Sequence, residues 1–279
     1  MTRVAAVDCG TNSIRLLVAD VPESGAHTDL LRRMEVVRLG QGVDATGRLA
    51  PEAIERTRLV LAEYAAQARE LGAERVRMVA TSASRDAANR ADFEQMVQTT
   101  LGQLPDVVPG REEAELSFLG ATASLESAAA AHGTSAPGAP FLVVDIGGGS
   151  TEFVLGDAAG LRAARSVDIG CVRLTERRLH GDPPSADEVQ ATVADIGAAL
   201  ALVTAEVPVG EAVSLVGLAG SVTTVVAIAR GLTEYDPARI HHARLTYDEV
   251  AKVTGEMLAA TRAERLAIPV MHPGRADVI

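Results

Sequence analysis

The sequence predicts an α/β protein made of two related halves. Three observations carry the prediction: a short motif that occurs twice, apolar spacing that switches between strand and helix periods, and a glycine–proline linker near the middle. The motif is Asp-x-Gly-x-x-Ser, found in "AVDCGTNSIRLLVAD" at residues 6–20 and again in "VVDIGGGSTEFVLGD" at residues 143–157. An offset of 137 aligns Asp8 with Asp145, Gly10 with Gly147, Ser13 with Ser150 and Asp20 with Asp157. Each copy reads as a strand, a turn of small residues and a second strand.

Taken in order, residues 3–8 and 14–21 are short Val/Leu/Ile-rich runs around a Gly-Thr-Asn turn, a hairpin. A further strand is expected near 34–39. Residues 51–71 repeat apolar side chains at helical spacing, with Pro51 suited to the first turn and Gly72 to the stop. Residues 75–81 form a strand, "SASRDAANR" opens a short helix, 91–101 continue as helix, and 106–108 are a short strand. Residues 111–131 are helical by composition, and "GTSAPGAP" at 133–140 is the clearest linker. Strands then return at 141–145, 151–156 and 162–168, with a helix at 171–180. Capping boxes at Ser185–Glu188, Thr246–Glu249 and Thr261–Glu264 open three more helices. "AVSLVGLAGS" is a strand running into a glycine turn, followed by a helix at 222–230. This alternation indicates α/β layers. The expected domains are 1–132 and 133–279, facing each other across a cleft.

Bulk composition narrows the function classes. Of 279 residues, 47% are hydrophobic, 23% charged and 3% aromatic, with no Trp, so the core must be built from Ala, Val, Leu and Ile. The net charge of −11 argues against DNA, RNA or an anionic membrane as partner, though a small cleft can still be locally positive. Cys9 and Cys171 alone make no disulfide framework, which points to a reducing compartment, the cytoplasm. Asp8, Arg15 and Asp20 interrupt any signal-peptide core, and no uninterrupted run of apolar residues has the length of a membrane span.

The repeated motif has a chemical reading. A small-residue turn after a strand presents several N–H groups into one concavity, an anion nest, and Gly permits close approach of the ligand. Ser adds a hydroxyl, and the Asp holds a divalent cation directly or through water. That set fits a polyphosphate–Mg²⁺ group. There is no P-loop sequence, and "GGGSTEFVL" opens a strand, not the helix a dinucleotide fold requires. His241-His242 lacks the spacing of a zinc site.

With these residues in place, "DCGTNSIRLL", "TSASRDAAN", "REEAELSFLGA", "DIGGGSTE", "IGCVRLTER", "GLAGSVTT" and "MHPGRADVI" together resemble the exopolyphosphatase and guanosine pentaphosphate phosphatase family. The resemblance covers nearly the whole chain. It implies two ribonuclease-H-like domains of the sugar kinase, Hsp70 and actin superfamily, and Mg²⁺- or Mn²⁺-assisted release of a terminal phosphate by water. Glu113 matches the catalytic base, and Arg85 a phosphate-contacting arginine. Asp145 and Glu152 match metal-side carboxylates, with Asp8 the symmetric candidate. Phosphate falls to Gly10, Thr11, Asn12, Ser13, Gly147, Gly148, Gly149 and Ser150. Gly220 and Ser221 either line the cleft or form an ordinary strand–helix turn. Arg173, Arg177, Arg178, His180, Arg239, His241, His242, Arg244 and Arg275 are either a track for an anionic chain or scattered surface charge. Family members are often homodimers, and short members continue past the point equivalent to Ile279 with a glycine-rich turn and a helix, so a longer natural chain is expected. An exopolyphosphatase is the first reading. Hydrolysis of guanosine pentaphosphate, the stringent-response nucleotide, is the alternative; an ATP-dependent phosphotransferase and a non-catalytic sensor stand behind both.

Overall fold

A computed structural model describes residues 1–123, Leu125 and 136–279. The chain divides into two compact units, Met1–Pro109 and Gly110–Ile279. In the first, β1 (Thr2–Cys9), β2 (Ser13–Val21) and β3 (Thr28–Val36) run antiparallel, and β4 (Arg75–Ala80) joins β1 in parallel. With β5 (Asp106–Val107) the sheet order is β3-β2-β1-β4-β5. Ala5, Val7 and Cys9 alternate into the core, the period-two burial a half-buried strand requires. The helices are α1 (Val43–Thr46), α2 (Pro51–Glu70), α3 (Ser82–Asp86) and α4 (Arg90–Leu101).

Helix α2 shows its start and stop chemically. Pro51 occupies the first turn, and Ala53, Thr57, Leu61, Tyr64, Ala65 and Ala68 form the buried stripe. It ends at Glu70, and Gly72, with φ 71°, closes a pair of hydrogen bonds, Gly72 N–H to Arg69 O at 2.9 Å and Ala73 N–H to Ala68 O at 2.9 Å.

The second unit repeats the first. β6 (Phe141–Ile146), β7 (Thr151–Asp157), β8 (Gly160–Val167) and β9 (Ser214–Leu218) give the order β8-β7-β6-β9, with β6 and β9 parallel. The duplication extends to detail. Asp8 pairs with Arg15 as Asp145 pairs with Glu152, and the bulge at Val18/Ala19 recurs at Leu155/Gly156. Gly10 N–H bonds Ser13 O at 3.0 Å, and Gly147 N–H bonds Ser150 O at 3.0 Å.

The division of the chain differs from the expected one. The 132/133 boundary and the start of the linker lie outside the described residues. Helix α5 (Gly110–Thr122) belongs with the second sheet, because Ala114 and Phe118 pack with Val143 and Val154. Composition identified the helix; which sheet it covers depends on tertiary packing.

The remaining helices are α6 (Cys171–Arg178), α7 (Ala186–Glu206), α8 (Ala219–Ala229), α9 (Pro237–Ile240), α10 (Tyr247–Ala259) and α11 (Arg262–Leu266). All three predicted capping boxes form, on α7, α10 and α11. By length and composition α7 could cross a membrane, with a mean hydropathy of 1.3, a feature the search for uninterrupted apolar runs passes over. Its Ala199 and Val203 pack with Phe153, Leu155 and Val167 of the sheet, and its Asp195 is paired with Arg178 at 2.8 Å.

Candidate active site

One rung of the second sheet carries three polar residues. Asp145, Glu152 and Ser166 are neighbours across β6, β7 and β8. Two residues along the same face, Val143, Val154 and Ala164 are apolar and lie in the cluster that α5 covers through Ala114 and Phe118. A carboxylate placed at the end of such a face is costly unless hydrogen-bonded. Glu152 is only 1% exposed, and Ser166 Oγ donates to its Oε1 at 2.8 Å. Ser150 donates to the same carboxyl. From α5, Ser117 Oγ donates to Asp145 Oδ2 at 2.7 Å. Glu113, half-buried and four residues before Ser117, shares that helix face. Burial, then the Glu113 and Asp145 charges, push Glu152 up to about 8, while the serine hydroxyls pull it back. Glu152 therefore favours its protonated form near neutral pH.

Beside this rung lies the turn Gly147–Ser150. Its carbonyls are turned toward the start of α6: Cys171 N–H bonds Gly147 O at 3.0 Å, and Val172 and Arg173 N–H bond Gly148 O at 2.9 and 3.0 Å. Arg173 Nε adds a bond to Gly149 O at 2.7 Å. Among the described residues, the amides of Gly148 and Gly149 have no protein acceptor. A turn whose oxygens are tied back and whose N–H groups are left over has the polarity of an anion nest. Gly170 must lack a side chain here, since a Cβ would come within 2.5 Å of Gly148 C and O.

The first unit's turn has the same polarity. Gly40 N–H bonds Thr11 O at 2.8 Å, and Val37 and Arg38 N–H bond Asn12 O at 3.1 and 2.9 Å. Thr11 Oγ1 meets Ser82 Oγ at 2.9 Å. Asn12 is 6% exposed, and among the described residues neither its Oδ1 nor its Nδ2 has a partner. A buried amide left so costs about 1–3 kcal/mol, so the atoms are poised for something the protein does not itself supply. Arg85, on α3, donates from Nη1 to Val108 O at 3.1 Å.

The structure rearranges some expected roles. Ser150 is engaged by Glu152. Asp8 faces Arg15 at 3.4 Å, the residue that stands where the second hairpin has Glu152. Among the described residues no three His, Cys, Asp or Glu side chains form a metal-ligating group. A hard divalent cation still fits the second unit, because Mg²⁺ commonly takes one or two carboxylates and fills its shell with water and substrate phosphate. Asp145 and Glu152 are hard oxygen donors that stand side by side on one rung.

Gly220 and Ser221 lie in the first turn of α8, which begins three residues earlier than expected at Ala219, a non-glycine residue with φ 73°. The buried Arg275 guanidinium lies against Gly220, leaving no room for a Cβ, and Ser221 Oγ neighbours the Cys171 thiol. Arg173 and Arg275 are thus taken up in internal contacts of the second unit, while Arg178 is half-exposed and paired with Asp195. Ser117 and Ser166 were missed in the sequence; their only signal is a small hydroxyl at an inward position.

A duplicated α/β unit with an anion-nest turn in each copy and a buried carboxylate rung in one defines a phosphoanhydride hydrolase scaffold. The chain belongs to the Ppx/GppA phosphatase family, which it matches over residues 17–279. It is 52% identical over 287 aligned positions to Exopolyphosphatase 2 of Mycobacterium tuberculosis, covering 100% of this chain and 87% of that one. It is 37% identical to the guanosine-5'-triphosphate,3'-diphosphate pyrophosphatase of Photobacterium profundum, covering 62% of this chain and 33% of that one. A crystal structure of an exopolyphosphatase-like protein superposes with a TM-score of 0.93 at 43% identity, covering 99% of this chain and 84% of that one.

Proposed function

We propose that the protein is a Mg²⁺-dependent exopolyphosphatase that releases orthophosphate from the end of inorganic polyphosphate. The observation that carries this reading is the carboxylate cluster of Glu113, Asp145 and Glu152 next to a glycine turn with unclaimed amides. Attack on a phosphoryl dianion is blocked mainly by charge, so catalysis needs neutralisation, alignment and a base.

Glu113 takes the proton from the attacking water. The Gly148 and Gly149 amides hold phosphate oxygens in the second unit. In the first, the Gly10–Ser13 turn, with the Asn12 carboxamide, and the Arg85 guanidinium do the same; a guanidinium keeps its charge and forks onto phosphate. Asp145 and Glu152 would hold the divalent cation, which when bound supplies charge neutralisation at the phosphate. The free thiols Cys9 and Cys171 fit a cytoplasmic setting, and the homodimer expected from the resemblance is checked by light scattering.

The test is phosphate release from polyphosphate of defined length, with Mg²⁺, by the wild type and Glu113→Gln. Removing a general base should cost roughly 10²- to 10⁴-fold in kcat with substrate still bound. Unchanged turnover would remove Glu113 as the base. Likeness to the pyrophosphatase of Photobacterium profundum favours guanosine pentaphosphate as the second reading, so that nucleotide belongs in the same assay. A phosphorylated acceptor without free phosphate would instead identify a phosphotransferase, and binding without turnover a sensor.

A further inference from the structure

We propose that Ser117 and Ser166 are positioning residues that hold Asp145 and Glu152 in the orientation that receives the divalent cation, an inference that rests on the site reading above. Each serine makes one bond to one carboxylate: Ser117 Oγ to Asp145 Oδ2 at 2.7 Å, and Ser166 Oγ to Glu152 Oε1 at 2.8 Å. The bonds come from different elements. Ser117 reaches down from α5, and Ser166 reaches across from β8, the next strand in the rung. A carboxylate with one oxygen fixed has its other oxygen aimed, which is what a partner behind a metal ligand does.

Ser166 has a second contact that makes it more than a local prop. It lies against Gly110, the first residue of α5, where a Cβ would stand 2.6 Å from Ser166 Cβ and 2.8 Å from Ser166 Oγ. Gly110 precedes Glu113 by three residues. One serine therefore touches both the Glu152 carboxylate and the start of the helix that carries Glu113. Ser117 ties the same helix, two turns further on, to Asp145. The Ser117 bond and the packing of Ser166 against Gly110 hold α5 to the rung at two points, while Phe118 and Ala114 hold it through apolar contact.

The experiment measures Mn²⁺ affinity of the full chain without substrate, by electron paramagnetic resonance of the free ion, for wild type, Ser117→Ala, Ser166→Ala and Gly110→Ala. Loss of a group behind a metal ligand typically costs about 10- to 100-fold in affinity, and each variant should fall in that range. Gly110→Ala should reproduce Ser166→Ala, because the added methyl displaces the serine. Ser117→Thr, which keeps the hydroxyl, should restore binding lost in Ser117→Ala. In turnover assays the Mn²⁺ concentration for half-activity should rise by the same factor, with kcat at saturating metal within a few-fold of wild type. Wild-type Mn²⁺ affinity in the folded alanine variants overturns the proposal, as does absence of Mn²⁺ binding by the wild type. Because the binding measurement needs no substrate, it stands even where polyphosphate proves not to be the substrate.

Discussion

At the scale of single residues, Glu152 is the group with the largest consequence. Its folded-state pKa is raised to about 8 from 4.5, with burial the leading cause and the Glu113 and Asp145 charges behind it. The sign follows from proton counting. Between these two values the folded protein holds a proton that the unfolded chain has released, so stability is full below the lower value and is lost as pH rises toward 8. The cost is on the order of a few kcal/mol. Glu152→Gln has no charge to bury. In EDTA, it should raise the melting temperature more at pH 8.5 than at pH 5, and a pH-independent difference would contradict the buried-carboxylate account. Under the proposed function the same substitution should also weaken Mn²⁺ binding, measured on the same protein.

At the scale of elements, α5 matters most, because it delivers Glu113 and Ser117 while its packing decides where they stand. Phe118 is 3% exposed and covers Gly156 at the bulge of β7, where a Cβ would meet its ring at 2.6 Å. Phe118→Ala should cost about 3–5 kcal/mol in urea unfolding, the usual loss for a buried aromatic. Activity should fall further than stability explains at temperatures where the variant is folded, since α5 loses its large apolar anchor; full activity there would mean the Ser117–Asp145 bond suffices to place the helix. The helices also show what a sequence displays and what it conceals. Capping boxes at Ser185, Thr246 and Thr261 were legible because both partners lie within one turn. The start of α8 was not, since Ala219 adopts a left-handed conformation that local rules reserve for glycine. Ser117 reaches Asp145 over 28 residues and Ser166 reaches Glu152 over 14, contacts that exist only once helix packing and strand register are fixed.

At the scale of the whole molecule, two copies of one hairpin unit share register, bulge and turn bond but differ in charge at one rung. In the first copy Asp8 stands opposite Arg15; in the second Asp145 stands opposite Glu152. The first rung carries its own cation, held at 3.4 Å in a half-exposed pair worth about 0–1 kcal/mol. The second has two acids, which under the proposed function would receive a divalent cation. The duplication thus made the motif visible in the sequence, and the symmetric assignment of Asp8 to metal followed from it; the break in symmetry, Arg15 against Glu152, argues for a single metal-bearing unit. Ligand binding raises apparent stability by about 2.7 kcal/mol at a hundredfold excess over Kd. Mg²⁺ should therefore raise the melting temperature of the wild type by several degrees, measured by scanning calorimetry at constant ionic strength. The increment should survive Asp8→Asn and vanish in Asp145→Asn. If Asp8→Asn abolishes it and Asp145→Asn does not, the cation belongs to the first hairpin, and the carboxylate rung under α5 has some other use.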